Sequence, residues 1–100
     1  MVVEYIRYQV ANGDEFLAAY ERACESLRSA PECHEYELTR CTEDPSCFVL
    51  RILWSSTEEH LHGFRGGPHF PAFFAAIRGF VPAIQEMRHY ERTSLRWQRG

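Results

Sequence analysis

The chain has 100 residues, of which 45% are hydrophobic and 25% charged, so one folded domain is predicted and disordered and fibrous proteins are excluded. The net charge of −3 argues against a general nucleic-acid-binding protein, because such domains carry an excess of basic residues. No apolar run approaches the roughly 20 residues that span a bilayer, and no secretory leader is recognisable, so we expect a cytoplasmic protein without membrane contact.

The first two predicted elements are a strand and an amphipathic helix. Residues Glu4–Val10 are rich in aromatic and β-branched side chains, and Asn12-Gly13 follows them as a turn signal. Over Asp14–Ser29 the apolar residues recur at the spacing of one helical face, and acidic residues occupy the first turn. Pro31 ends this helix.

The next predicted element is a β-hairpin. Its strands are His34–Thr42 and Cys47–Ser55, and the turn between them is E-D-P-S at residues 43–46. The second strand reads C-F-V-L-R-I-L-W over its first eight residues and is nearly all apolar. A strand of that composition is typically central in its sheet.

Two short helices and a final strand complete the chain. The segment Thr57–Phe64 starts with a capping hydroxyl and two acidic residues, which predicts a helix that Gly66-Gly67 ends. A second helix is expected to start at Pro68, since proline is well tolerated in a first turn. Its apolar face consists of Phe70, Phe73, Phe74 and Ile77. The last predicted strand covers Ile84–Thr93.

The order β-α-β-β-α-β predicts an α+β, ferredoxin-like fold with a four-stranded antiparallel sheet over residues 1–93, followed by a polar tail at 94–100. Even-numbered positions of the first three strands are mostly apolar and should face the helices. The odd positions mix charged residues with Tyr5, Val49 and Leu53. Because such a half-apolar face is poorly suited to solvent, we expect it to pair with a second copy as a homodimer that closes an α/β barrel.

The cysteines and histidines show no metal-binding pattern. Cysteines stand at positions 24, 33, 41 and 47, without a C-x-x-C pair, so reduced thiols are expected rather than a zinc site. His60 and His62 diverge by about 200° on a helix and cannot share a metal there. The sequence therefore predicts no metal site.

Taken together, several segments resemble the antibiotic biosynthesis monooxygenase (ABM) family. They are the strand ending in L-W-S-S at 53–56, the helix T-E-E-H-L-H-G-F at 57–64, and P-H-F-P-A-F-F at 68–74. The resemblance covers about residues 2–93. Together with E-M-R-H-Y at 86–90, the later segments look most like ABM domains that accompany truncated haemoglobins, which implies a possible globin partner.

The resemblance implies a dimeric α/β barrel with a pocket between helices and sheet. Characterised ABM proteins oxidise aromatic polyketides or quinols without metal or flavin, or degrade haem. The haem-degrading members use an asparagine, a tryptophan and a histidine at positions where this chain has Ile6, Phe64 and Phe74. His69 lies about one turn before the histidine position. The resemblance therefore implies an oxygenase without a cofactor, and not a haem enzyme.

Oxygenation without a cofactor requires a substrate that itself donates an electron to O₂, so the protein must deprotonate it and shelter the anion. The candidate base is His60 or His69, with His62 a further possibility, because imidazole accepts protons near neutral pH. Arg65 or Arg88 is the candidate cation for the anion. The candidate pocket walls are Trp54, Phe64, Phe70 and Phe74. A plain core role for this aromatic stripe is the alternative.

Three functions remain open on the sequence alone. The first is a small monooxygenase acting on a quinol-like or polycyclic aromatic substrate. The second is a non-catalytic module that binds a small aromatic molecule or serves a truncated haemoglobin. The third is a dimerisation domain without a ligand. A closed apolar cavity with a histidine at its mouth would favour the first.

Overall fold

The structure is a computed structural model that describes residues 1–100. Its strands pair in the order β2-β3-β1-β4, and every pairing is antiparallel. The predicted ferredoxin-like α+β fold is therefore confirmed. The elements in chain order are β1 (Val2–Gln9), α1 (Gly13–Ser29), β2 (Cys33–Arg40), β3 (Cys47–Trp54), a π-helical turn (Glu59–Phe64), α2 (Phe70–Ile77), a 3₁₀ helix (Arg78–Ala83) and β4 (Ile84–Glu91).

The first helix begins where its sequence provides a cap. The Oδ1 atom of Asn12 accepts hydrogen bonds from the backbone N–H groups of Asp14 and Glu15, both at 3.1 Å. This satisfies two of the N–H groups that a helix leaves free at its start, and the two acidic residues also interact favourably with the helix dipole. The loop after β1 therefore ends at Asn12, and α1 begins at Gly13.

The alternation predicted for the strands is observed. Even-numbered residues of β1 and β3 face the helices and form the core together with the apolar face of α1. The central members of this core are Tyr8, Phe16, Tyr20, Phe48 and Leu50. On the opposite face of the sheet, Tyr5 is 39% exposed and packs edge-on against Tyr90. In the single chain this outer face is only partly covered.

The segment after β3 is helical, as predicted, but its hydrogen bonds have π geometry. The Arg65 N–H donates to the His60 carbonyl oxygen at 3.1 Å, five residues back. The turn must end in glycine, because a Cβ on Gly67 would lie 2.4 Å from the Gly63 carbonyl oxygen. Turns of this kind are uncommon and frequently occur at functional sites. Here the turn directs both His60 and Phe64 into the protein.

Among the later elements, α2 adds Phe73 and Ile77 to the core, whereas the tail beyond β4 adds nothing. No helix has both the length and the apolar character needed to cross a membrane. Beyond β4 the residues form neither helix nor strand, and the Trp97 side chain is 75% exposed.

Candidate active site

A cavity of about 280 Å³ lies between the inner face of the sheet, the π-helical turn and α2. Thirteen of its 16 lining residues are hydrophobic, so it is suited to an apolar ligand. The aromatic rings in its wall are Trp54, Phe64, Phe70, Phe73 and Phe74. The residues towards its exposed side are Phe74, Val81 and Met87. The cavity is therefore an aromatic pocket that opens beside the 3₁₀ helix and β4.

Six of the residues singled out from the sequence line this cavity, namely His60, Arg65, Trp54, Phe64, Phe70 and Phe74. His69 does not. It precedes α2 and borders a separate surface depression with Glu32. His62 is exposed on the π-helical turn.

Arg88 was the second candidate cation, and the structure places it on the wrong face. It pairs with Tyr5 across β1 and β4, and Tyr5 belongs to the outer face of the sheet. Its Nε lies 3.7 Å from Glu86 Oε1. Because successive side chains of a strand alternate between faces, the neighbours Met87 and His89 face inward instead. Arg65 is therefore the cation of the pocket.

The rings around His60 form a stack. Trp54 and His60 lie nearly parallel, with ring centroids 4.4 Å apart and an interplanar angle of 13°. Phe64 follows at 5.0 Å from Trp54. Both Trp54 and His60 are buried, so the stack fixes the orientation of the imidazole.

A buried carboxylate stands beside this stack. Glu4 lies on the inner face of β1, is 1% exposed and lines the cavity. Its Oε1 accepts a hydrogen bond from Trp54 Nε1 at 3.0 Å, whereas its Oε2 is buried without any hydrogen-bond partner. Burial raises the pKa of Glu4 above its ordinary value, and the Trp54 hydrogen bond and the Arg65 charge oppose that rise.

Two histidines continue from this carboxylate. His60 Nε2 lies 3.6 Å from Glu4 Oε1, and His60 Nδ1 is 2.7 Å from Nε2 of His89 on β4. Burial, then the charges of Arg65 and His89, lower the pKa of His60 to about 3. Burial and Arg65 also lower the pKa of His89. Both imidazoles are therefore neutral at pH 7.

These three side chains form a contiguous cluster in which the His60–His89 contact is a hydrogen bond. One potential ligand atom from each lies within 4.8 Å of the others. However, two nitrogen ligands of a tetrahedral zinc would be about 3.3 Å apart, and the His60–His89 distance of 2.7 Å is that of a hydrogen bond. His60 also presents one nitrogen to each neighbour, with Nδ1 towards His89 and Nε2 towards Glu4.

A second polar pair lines the cavity. The hydroxyl groups of Tyr8 and Tyr20 hydrogen-bond to each other. Burial raises the pKa of Tyr8 to about 12 and the pKa of Tyr20 well above its ordinary value. Both phenols stay protonated at neutral pH, so they can donate or share hydrogen bonds but do not act as bases.

Sequence reasoning missed Glu4 and His89. For Glu4 a signal exists, because it occupies an even, helix-facing position in a strand whose other even positions are apolar. A carboxylate on an apolar strand face is a candidate functional group. For His89 no such signal exists. Its proximity to His60 depends on how β4 aligns with β1, where His89 pairs with Glu4.

Known proteins support the fold and the family. The uncharacterized protein YczJ of Bacillus subtilis (strain 168) is 24% identical, over 91% of this chain and 98% of its own length. The cofactor-independent oxygenase SnoaB of Streptomyces nogalater is a structural neighbour with a TM-score of 0.71 and 18% identity, over 94% of this chain and 95% of its own.

A Chloroflexus aurantiacus protein, provisionally assigned as an antibiotic biosynthesis monooxygenase, aligns with a TM-score of 0.76 and 19% identity over 96% of both chains. At these identities the structural neighbours establish the fold. The family model for antibiotic biosynthesis monooxygenase (ABM) matches residues 1–76, which is more than half of the chain. The protein therefore belongs to the antibiotic biosynthesis monooxygenase family.

Proposed function

We propose that this protein is a cofactor-independent monooxygenase that oxidises a hydroxylated polycyclic aromatic or quinol-like compound. The observation that carries the proposal is the combination of an aromatic cavity with a buried acid–base chain and a cation on its wall. SnoaB, described as a cofactor-independent oxygenase, shares the fold. An aromatic ligand can stack against the rings of the wall, such as Phe70 and Phe74, which pack on each other at 5.5 Å.

The proposed reaction needs no external reductant. The substrate hydroxyl loses its proton inside the cavity, and the electron pair of the broken O–H bond delocalises over the ring. The anion then reduces O₂ and forms a carbon–oxygen bond. Return of the proton to the peroxide gives a hydroperoxide. Loss of the proton from the same ring carbon then cleaves the O–O bond, which releases water and leaves a carbonyl group. Overall, one ring C–H becomes C=O, the second oxygen atom leaves as water, and the substrate supplies all four electrons.

The pocket residues have distinct roles in this proposal. Arg65, an exposed residue that also lines the cavity, provides a positive charge for the substrate anion. His60 takes part in the proton transfer, because it is the one predicted histidine that lines the cavity. Its ring is held in place by the stack on Trp54.

Oxygen consumption with a panel of quinols and anthrone-like compounds tests the proposal. We expect the wild type to consume O₂ with at least one of them and to form the product in which one ring C–H has become C=O. His60→Asn should lower kcat by roughly 10²-fold or more, the usual range for loss of acid–base assistance. His62→Asn, an exposed site on the same turn, is the matched control and should stay near wild type.

Two outcomes would contradict the proposal. If the wild type binds members of the panel without consuming O₂, the cavity belongs to a ligand-binding module and not to an oxygenase. If it neither binds nor oxidises any of them, the proposed substrate class is wrong. Equal loss of activity in His60→Asn and His62→Asn would remove His60 from the reaction.

A further inference from the structure

In the cluster of Glu4, His60 and His89, one oxygen has no hydrogen-bond partner. His60 Nδ1 is engaged with His89 Nε2, its Nε2 faces Glu4, and its ring face is covered by Trp54. His60 Nδ1 is therefore occupied, whereas His60 Nε2 faces Glu4 at 3.6 Å, beyond hydrogen-bond distance. The Oε2 of Glu4 is the one buried side-chain N or O atom in the protein without a hydrogen-bond partner.

We propose that Glu4 is the group that receives the substrate proton, and that His60 and His89 relay this proton towards solvent. The inference rests on the proposed function and assigns the acceptor within the same cavity. It makes Glu4 the catalytic base, with His60 and His89 acting through it. The three residues come from β1, the π-helical turn and β4, and only His60 is predicted from the sequence.

The exposure of the three groups gives the relay its direction. Glu4 is 1% exposed, His60 is 4% exposed and His89 is half-buried. A proton placed on Glu4 therefore moves towards water by passing along the chain, without crossing the apolar cavity.

The proton balance is simple. The substrate O–H bond breaks, its electron pair stays on the aryl oxygen, and the new O–H bond forms at Glu4 Oε2. Rotation of the carboxyl group then presents this proton to His60 Nε2 while His60 Nδ1–H passes its own proton to His89 Nε2. His89 releases a proton to water from Nδ1. One proton leaves the site and no electrons move, and the reverse route returns a proton to the peroxide.

The charged and titratable groups facing Glu4 favour this role. Arg65, on the cavity wall, stabilises the carboxylate and the substrate anion alike. Tyr8, four residues along β1, and Tyr20 stay neutral. His60 and His89 complete the set. Because the free oxygen of Glu4 has no donor of its own, a substrate hydroxyl would satisfy a buried acceptor on binding.

Ionisable probes test the first step without turnover. Nitrophenols and nitronaphthols absorb at longer wavelength as anions, so their spectra report whether the bound molecule has lost its proton. At a pH below the pKa of the free probe, we expect the wild type to bind the anion and an infrared band of protonated Glu4 to form. Glu4→Gln keeps the acceptor for Trp54 and should reduce the ionised fraction at least tenfold. Glu58→Gln, at an exposed position, is the control.

Kinetics test the relay separately. His89→Ala should bind the ionised probe like the wild type, yet consume O₂ with an active quinol about tenfold more slowly or worse. Added imidazole should restore much of this rate, which a purely structural defect would not allow. His34→Ala, an exposed histidine, should have the wild-type rate with and without imidazole.

Each result decides a different point. Full ionisation of the probe by Glu4→Gln, or no carboxyl band in the wild type, would overturn Glu4 as the acceptor. An unchanged rate in His89→Ala, or a loss that imidazole does not rescue, would overturn the relay while the proposed function stands. Stoichiometric Co²⁺ binding that needs His89 would replace the relay with a metal centre. A wild type that binds no probe and oxidises no quinol would end both proposals.

Discussion

The hydrogen bond between Trp54 and Glu4 offers a direct test of the charge on the buried carboxyl group. Trp54→Phe removes the N–H donor and leaves Glu4 with two unpartnered oxygens, since Oε2 already has none. The donor–acceptor distance is 3.0 Å and both side chains are 1% exposed. Such a bond contributes about 1.5–3 kcal/mol when one partner is charged and about 0.5–1.5 kcal/mol when both are neutral.

The pH dependence of this coupling has a definite sign. The bond favours the carboxylate over the acid, so the coupling energy should rise with pH through the pKa of Glu4 and level off above it. Burial raises the folded-state pKa of Glu4, so the native protein holds a proton that the unfolded chain releases. Stability therefore falls as pH rises from the unfolded pKa through the folded one. Trp54→Phe should extend this fall to higher pH, and Glu4→Gln should abolish it.

The assay is a double-mutant cycle by urea unfolding of the wild type, Trp54→Phe, Glu4→Leu and the double variant, because leucine removes the acceptor that a glutamine would retain. The cycle cancels the packing lost with the indole, which the single variant alone would include. We expect a coupling of about 1.5–3 kcal/mol at about pH 8, and a smaller one at about pH 5. A coupling below about 0.5 kcal/mol at both pH values, or one that grows as pH falls, would refute the reasoning.

Three further predictions concern protonation, assembly and thiols. The His60 imidazole should not titrate by NMR between about pH 8 and 5, because burial lowers its pKa to about 3. The free energy of unfolding should therefore fall as pH drops below about 6.5, by up to about 1.4 kcal/mol per pH unit, and His60→Gln should remove that pH dependence. Sedimentation should give twice 11.7 kDa, and a monomer would contradict pairing through the outer sheet face. A chelator should leave the melting temperature unchanged, and stoichiometric zinc would contradict reduced, metal-free cysteines.

Much of the fold can be predicted because local patterns determine it. Strand alternation assigns an inner and an outer face, and the spacing of apolar residues in α1 assigns its buried side. Both depend only on the repeat of each element and on the need to bury one face. The π-helical turn is different. A periodicity argument recognises a helix at 57–64 but not the wider hydrogen bonding, which depends on Gly66 and Gly67 accepting close backbone contacts.

The candidate site is predictable only in part, for a related reason. The aromatic walls follow from the sequence because each ring belongs to the apolar face of its own element. The acid–base chain does not, because it joins Glu4, His60 and His89 across about 85 residues of sequence through the pairing of β1 with β4. Histidines chosen one at a time include His69, which the fold carries away from the cavity. His89 reaches His60 only because the pairing of β4 with β1 places it beside Glu4, and the sequence does not show that pairing.

The energetics of Glu4 favour a role beyond structure. Burying a carboxyl oxygen without a partner costs about 1–3 kcal/mol, a substantial fraction of the about 5–15 kcal/mol that holds a small domain folded. The structure requires only one hydrogen-bond acceptor at position 4, because Trp54 is the only residue that donates to this side chain. A glutamine would provide that acceptor without the desolvated charge. The second oxygen of Glu4, its raised pKa and the adjacent imidazoles are not needed for structure. They are suited to accepting a proton from a donor that enters the cavity. The same unpartnered oxygen that lowers stability in the empty protein would therefore be the one that a substrate hydroxyl satisfies.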